Sequence, residues 1–133
     1  MVKFALPNTS QTVKRLSVRV PKQMALRIDE QVRAEGYNKK ERSQWIENVI
    51  VELIAMPNYS DLVVEEFITA GTTTPLPLSL SGSTITLLEQ AKETVLRTTE
   101  SKTDNSALIR TAIIQHLLKV SGRQLKLTTP KAP

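Results

Sequence analysis

Residues 14–21 read KRLSVRVP, and residues 75–82 read PLPLSLSG. In the first stretch Leu16, Val18 and Val20 alternate with Arg15, Ser17 and Arg19; in the second, Leu76, Leu78 and Leu80 alternate with Pro75, Pro77 and Ser79. A period of two marks a strand with one buried face, because successive side chains on extended backbone point to opposite sides. The three aliphatic positions recur at an offset of 60.

After each strand the apolar spacing changes to that of a helix. KQMALRIDEQVRAEG places Met24, Ala25, Ile28 and Val32 on one stripe and offers Gly36 as a C-terminal cap. RSQWIENVIVELI carries a broader stripe through Trp45, Ile46, Val49, Ile50, Leu53 and Ile54, which predicts a largely buried helix ended by Pro57. The pattern then starts again. STITLLEQAKETVLRTTESK places Leu88, Ala91 and Val95 on one face, and TDNSALIRTAIIQHLLKV places Ile109, Ala112, Ile113, Leu117 and Val120 on another. Ser43, Ile46 and Ile50 match Ser106, Ile109 and Ile113 at an offset of 63. The chain therefore divides into an N-terminal arm (1–13), a first strand-helix-helix repeat (14–56), a linker (57–74) with room for a short helix around Asp61 to Thr69, a second repeat (75–121) and a basic C-terminal tail (122–133). A unit of roughly forty residues cannot bury its own strand face and helix stripes, whereas two such units packed together can.

Composition narrows the possibilities. The chain has 133 residues, 40% of them hydrophobic and 23% charged, a net charge of +5 and no cysteine. That describes a soluble globular domain without disulfides or thiolate metal sites, and a cytoplasmic location is expected. No apolar run approaches the length of a membrane helix, and the N-terminus lacks the apolar core of a signal peptide. Both ends are basic. Lys3, Lys14, Arg15, Arg19, Lys22 and Arg27 precede the first acidic residue, Asp29, and five further basic residues follow Asp104 with no acid among them. A polyanion would meet these ends and not the more acidic middle.

The helix opening Thr103-Asp104-Asn105-Ser106-Ala107-Leu108-Ile109-Arg110, together with KRLSVRVPKQM, resembles the ribbon-helix-helix superfamily of Arc and methionine repressor type. The resemblance covers residues 14–56 and 75–121, and two copies in one chain are similar to the single-chain tandem members found among plasmid conjugation proteins. It implies a mostly α fold with short β: two tandem ribbon-helix-helix repeats of one chain, forming a two-stranded antiparallel ribbon backed by four helices. It also implies that the ribbon enters the major groove of double-stranded DNA.

An antiparallel ribbon fits the major groove, and the face turned from the core presents alternate side chains to base edges. On the first strand those are Arg15, Ser17 and Arg19. Arginine can grip guanine O6 and N7 with two hydrogen bonds, and serine can donate or accept. The same charges would also protect an exposed strand edge from aggregation. On the second strand the outward residues are Pro75, Pro77, Ser79 and, at its end, Ser81, none of them cationic or an amide; Ser79 is the expected base contact, and the second repeat either reads weakly or chiefly completes the core. Prolines two apart turn their missing donors to one side, which lets both lie on the free edge. Phosphate contacts are expected from Lys14 and from the start of each second helix, where unpaired amides favour anions: Asn38, Lys39, Lys40 and Ser43 in the first, Lys102, Thr103, Asn105 and Ser106 in the second. The first of these helices starts between Asn38 and Glu41, and Thr103 is the candidate cap of the second.

Other chemistry is thin. His116 has no acid, cysteine or second histidine at ligand spacing and reads as a core-edge residue. The glycines are too scattered for a phosphate loop, Trp45 reads as core, and the sequence holds no catalytic constellation, so neither enzyme activity nor a cofactor or metal is expected. The tail RQLKLTTPKAP, with Leu125 and Leu127 alternating, admits an added strand, a docking segment or a simple basic tail. The expected function is sequence-specific binding of double-stranded DNA, either as a transcriptional repressor or as an accessory factor at a plasmid transfer origin, where a relaxase or other conjugation protein would be the partner. The competing class is a protein-interaction module of antitoxin or scaffold type.

Overall fold

The computed structural model describes residues 13–65 and 72–128. The chain runs β1 (Val13–Pro21), α1 (Lys22–Ala34), a 3-10 turn (Lys39–Glu41), α2 (Arg42–Ile54), α3 (Tyr59–Val64), β2 (Thr73–Ser81), α4 (Gly82–Thr99) and α5 (Asn105–Thr128). It is mostly helical, with one two-stranded sheet in which β1 and β2 pair antiparallel. The register sets Leu16 opposite Leu78, Val18 opposite Leu76, and Arg19 opposite Pro75. The alternation in the sequence is thus the alternation of the sheet: Val18, Val20, Leu76, Leu78 and Leu80 are buried, while Arg15, Ser17, Arg19, Pro75, Pro77 and Ser79 are exposed.

A two-stranded ribbon is marginal in water without something to cover its apolar face. Here one continuous core does so, joining Val18, Val20, Ile28, Trp45, Ile46, Ile50 and Leu53 to Leu76, Leu78, Leu80, Leu88, Ile109 and Ile113. The most extensive helix pairing is between α2 and α5, the two helices with the broadest apolar stripes. In α1 the stripe is narrower, with Ile28 and Val32 buried and Met24 and Ala25 only partly covered.

Local signals set the helix ends. Gly36 takes φ 91° just beyond α1, and the Tyr37 amide turns back to the Val32 carbonyl at 3.0 Å, a closure that the missing Cβ makes inexpensive. Before α2, the Asn38 side chain accepts from the Lys40 amide (2.9 Å) while Glu41 accepts from the Asn38 amide (2.9 Å), a reciprocal capping box. The chain therefore turns at Asn38 and becomes α-helical only at Arg42. At α5, Asp104 and not Thr103 supplies the cap, its carboxylate accepting from the Ala107 amide at 2.8 Å. A carboxylate here also opposes the helix dipole, which a threonine hydroxyl cannot do.

The short helix α3 lies within the stretch between the two strand-helix-helix segments and ends at Val64; positions 66–71 of that stretch are outside the described residues. Residues 1–12 and 129–133 are likewise outside them, and with them most of the basic arm and the end of the tail. Residues 121–128 continue α5 instead of forming a strand. Gly122 weakens a helix by only about 1 kcal/mol relative to alanine, and the first proline comes at Pro130, so nothing breaks the helix before then. Arg27 reaches from α1 to the Ser121 hydroxyl at 3.1 Å. Among the described residues no helix is long and apolar enough to cross a membrane.

Candidate nucleic-acid interface

Extended backbone turns every second residue to the same face, so the outer face of the ribbon is a strip of odd-numbered residues. Arg15, Ser17 and Arg19 of β1 lie opposite Ser79, Pro77 and Pro75 of β2. Both arginines come from one strand, yet they lie on either side of the central Ser17–Pro77 pair, so each end of the strip has one guanidinium. Four residues of strand separate them by about 13 Å. Neither Arg15 nor Lys14 makes a hydrogen bond or ion pair with the described residues. Lys14 occupies an even position opposite Leu80, at the exposed end of the core-facing side, and so stands apart from the strip. Arg19 is engaged: its Nε donates to Thr73 Oγ1 (2.9 Å) and its Nη2 to the Thr73 carbonyl (3.2 Å).

The outer edge of β2 is held by α2. Arg42 donates from Nη2 to the Pro77 carbonyl (3.0 Å), the Ser79 amide donates to Ser43 Oγ (2.9 Å), and the Ser81 amide donates to Glu47 Oε2 (2.6 Å). Pro75 and Pro77 have no amide to satisfy, and the edge amides of Ser79 and Ser81 are each matched by an α2 side chain. On β1, the buried Arg110 of α5 donates from Nη1 to the Arg19 carbonyl at 3.2 Å. Glu47 and Arg110 occupy matching places in the two halves, at the same offset of 63, and each secures strand backbone, one as acceptor and one as donor. Replacing Ser43 with alanine removes the acceptor of the Ser79 amide. We expect a loss of about 1 kcal/mol in urea unfolding, because water can reach this exposed amide, with helix content unchanged.

The expected phosphate residues fall into separate groups. Lys39 and Lys40 are exposed in the 3-10 turn, and Lys102 is exposed before α5. Asn38 and Ser43 already serve the protein, the first as a cap and the second on the strand edge. Thr103 and Ser106 are half-buried, and Asn105 has a buried Oδ1 without a hydrogen-bond partner. Each helix start carries its own anion, Asp104 at α5 and Glu41 in the capping box before α2, and the first has two exposed lysines beside it where the second has Lys102. Glu47, Thr73 and Arg110 were not expected to take part. Only the repeat offset linking Glu47 to Arg110 could have pointed to any of them.

A second polar cluster lies among the helices. His116 is 8% exposed; its Nε2 is 2.6 Å from Glu35 Oε2 and its Nδ1 is 2.8 Å from Glu52 Oε1. Ionised carboxylates only accept, so both contacts are hydrogen bonds when both ring nitrogens carry hydrogens, that is, when the ring is an imidazolium. Trp45 Nε1 donates to Glu35 (3.1 Å), Gln31 donates to Glu35 (2.7 Å), and Lys119 donates to Glu52 (3.0 Å). The Trp45 and His116 rings meet edge to face at 5.4 Å. Burial works against the charged form of all three groups, but the bonds to Glu35 and Glu52 outweigh it for His116 and hold its pKa above the ordinary value. For Glu35 and Glu52 burial likewise pushes upward, and the bonds from His116 and then from Gln31 or Lys119 hold both carboxyls below theirs. Among the described residues no group of three or more His, Cys, Asp or Glu side chains is arranged to hold a metal. Compared with protein-family models, with curated proteins and with solved structures, the chain matches none.

Proposed function

We propose that this protein is a tandem ribbon-helix-helix protein that binds double-stranded DNA sequence-specifically, with the β1–β2 ribbon in the major groove. The observation that carries this reading is the outer strip of the ribbon, with Arg15, Ser17, Arg19, Pro75, Pro77 and Ser79 exposed and the two arginines on either side of Ser17, while the opposite face packs into the helical core. A strip of this width suits a groove about 12 Å across, and paired guanidinium donors suit guanine. Lys39 and Lys40, exposed in the turn before α2, are the main phosphate partners in this reading, with Lys14 and Lys102 as further ones. Regulation of transcription and marking of a plasmid transfer origin both require this chemistry, and the proposal is for the chemistry that they share.

The test is a set of titrations on a duplex selected from random sequence and on a scrambled control, at several salt concentrations. Tight binding to the selected duplex is expected, with log affinity falling linearly in log salt. Replacing Lys39 and Lys40 with alanine should weaken both duplexes alike and reduce the salt slope by about one unit for each phosphate no longer neutralised. Salt-insensitive binding, no tighter than that of an unrelated protein of equal charge, would sink the proposal and favour a protein-interaction module.

A further inference from the structure

The two arginines of the strip are held differently. Arg15 is exposed and unattached to the described residues, whereas Arg19 is fastened across the ribbon to Thr73. Thr73 lies opposite Pro21 and Arg19 opposite Pro75, so Thr73 is the diagonal neighbour of Arg19 on the outer face. Pro75, directly opposite Arg19, has no side-chain acceptor to draw the guanidinium away from Thr73. Nε–H and the Nη2–H beside it form one edge of the guanidinium plane, and Thr73 takes both through its hydroxyl and its carbonyl. The end edge, formed by Nη1 and the second Nη2 hydrogen, is left for another acceptor pair. A guanidinium fixed in this way has already given up much of its side-chain freedom before anything binds, and a preset donor pair discriminates better than a mobile one.

We propose that Thr73 is a positioning residue that presets the end fork of Arg19 for a guanine O6/N7 pair, so that the Arg19 end of the ribbon reads a G·C base pair more stringently than the Arg15 end. This rests on the DNA-binding reading above. Thr73 itself touches no base; it acts through Arg19.

The experiment compares full-length wild type, Thr73→Val, Thr73→Ser and Arg19→Ala on the duplex selected by the wild type. Single base-pair changes are scanned across the site. Arg19→Ala identifies the base pair read by Arg19. At that pair Thr73→Val is expected to lower the preference about three- to tenfold, a part of what a bidentate arginine contributes, while leaving affinity for scrambled duplex within about twofold. Thr73→Ser keeps the hydroxyl and should keep the preference. In the Arg19→Ala background Thr73→Val should change nothing further. A wild-type preference that Thr73→Val leaves intact overturns the inference alone. A wild type that prefers no duplex over scrambled sequence overturns the DNA reading, and the inference with it.

Discussion

Alanine at both Arg15 and Arg19 should abolish most of the preference for the selected duplex, at about 1 to 3 kcal/mol for each arginine. The two side chains are about 13 Å apart along the strand and share no described partner, so the losses should nearly add. The single variants should differ in kind. Removing Arg19 takes away a preset donor pair and should flatten one base position sharply, while removing Arg15 takes away an untethered one and should flatten its position less. Circular dichroism should show an unchanged fold, because both side chains lie outside the core. Titrations on cognate and scrambled duplexes decide the matter. Equal losses on both would make the ribbon an electrostatic clamp, and Arg15 and Arg19 would no longer be readers of sequence.

Replacement of His116 by leucine should destabilise the protein by about 2 kcal/mol near pH 5.5, below the roughly 3 kcal/mol that two hydrogen bonds to charged groups give at the low end, because both carboxylates keep other donors and reach solvent. The pH dependence is the more telling readout. His116 has a folded pKa above its ordinary value of 6.5, so its contribution is complete below that value and is lost as pH rises through the folded pKa. Glu35 and Glu52 have folded pKa values below the ordinary 4.5, so their contribution is present above that value and is lost as pH falls through the folded pKa values. The groups facing the ring from the packed elements are Glu35 after α1, Glu52 on α2 and, through Glu52, Lys119 on α5. Maximal support from this cluster therefore falls between about pH 4.5 and 6.5. Above it, a neutral ring sets a lone pair against one of its two carboxylates. Urea unfolding at pH 5.5, 7.5 and 9 should show the gap between wild type and His116→Leu closing as pH rises. A gap that does not change with pH would mean that the ring contributes by packing alone.

The boundary between what could be read from the sequence and what could not follows the range of the interactions. Leu16, Val18 and Val20 declare a strand because period two is a property of extended backbone, and Ile46, Val49, Ile50 and Leu53 declare a helix for the analogous reason. The exposed positions of the strip followed from the same periodicity. The cap of α5 illustrates the limit of local reading: Thr103 and Asp104 are adjacent and both are capable caps, and the helix starts where its core residues, Leu108 and Ile109, need it to start. The tail shows it from the other side, for the alternation of Leu125 and Leu127 was compatible with a strand, whereas the uninterrupted backbone of α5 carries those residues on as helix.

By itself the sequence determined the elements, their order, their buried faces and the basic character of the outer strip, since each depends on residues a few positions apart. Only the tertiary structure decided which side chains meet. Arg19 finds Thr73 across 54 residues, and His116 finds Glu52 across 64 and Glu35 across 81. Those meetings depend on the register of β1 against β2 and on the packing of α2 against α5, where a shift of one residue in the ribbon would turn every outward side chain inward. No local pattern of residues encodes that registration. It arises when both halves bury their apolar faces in one core.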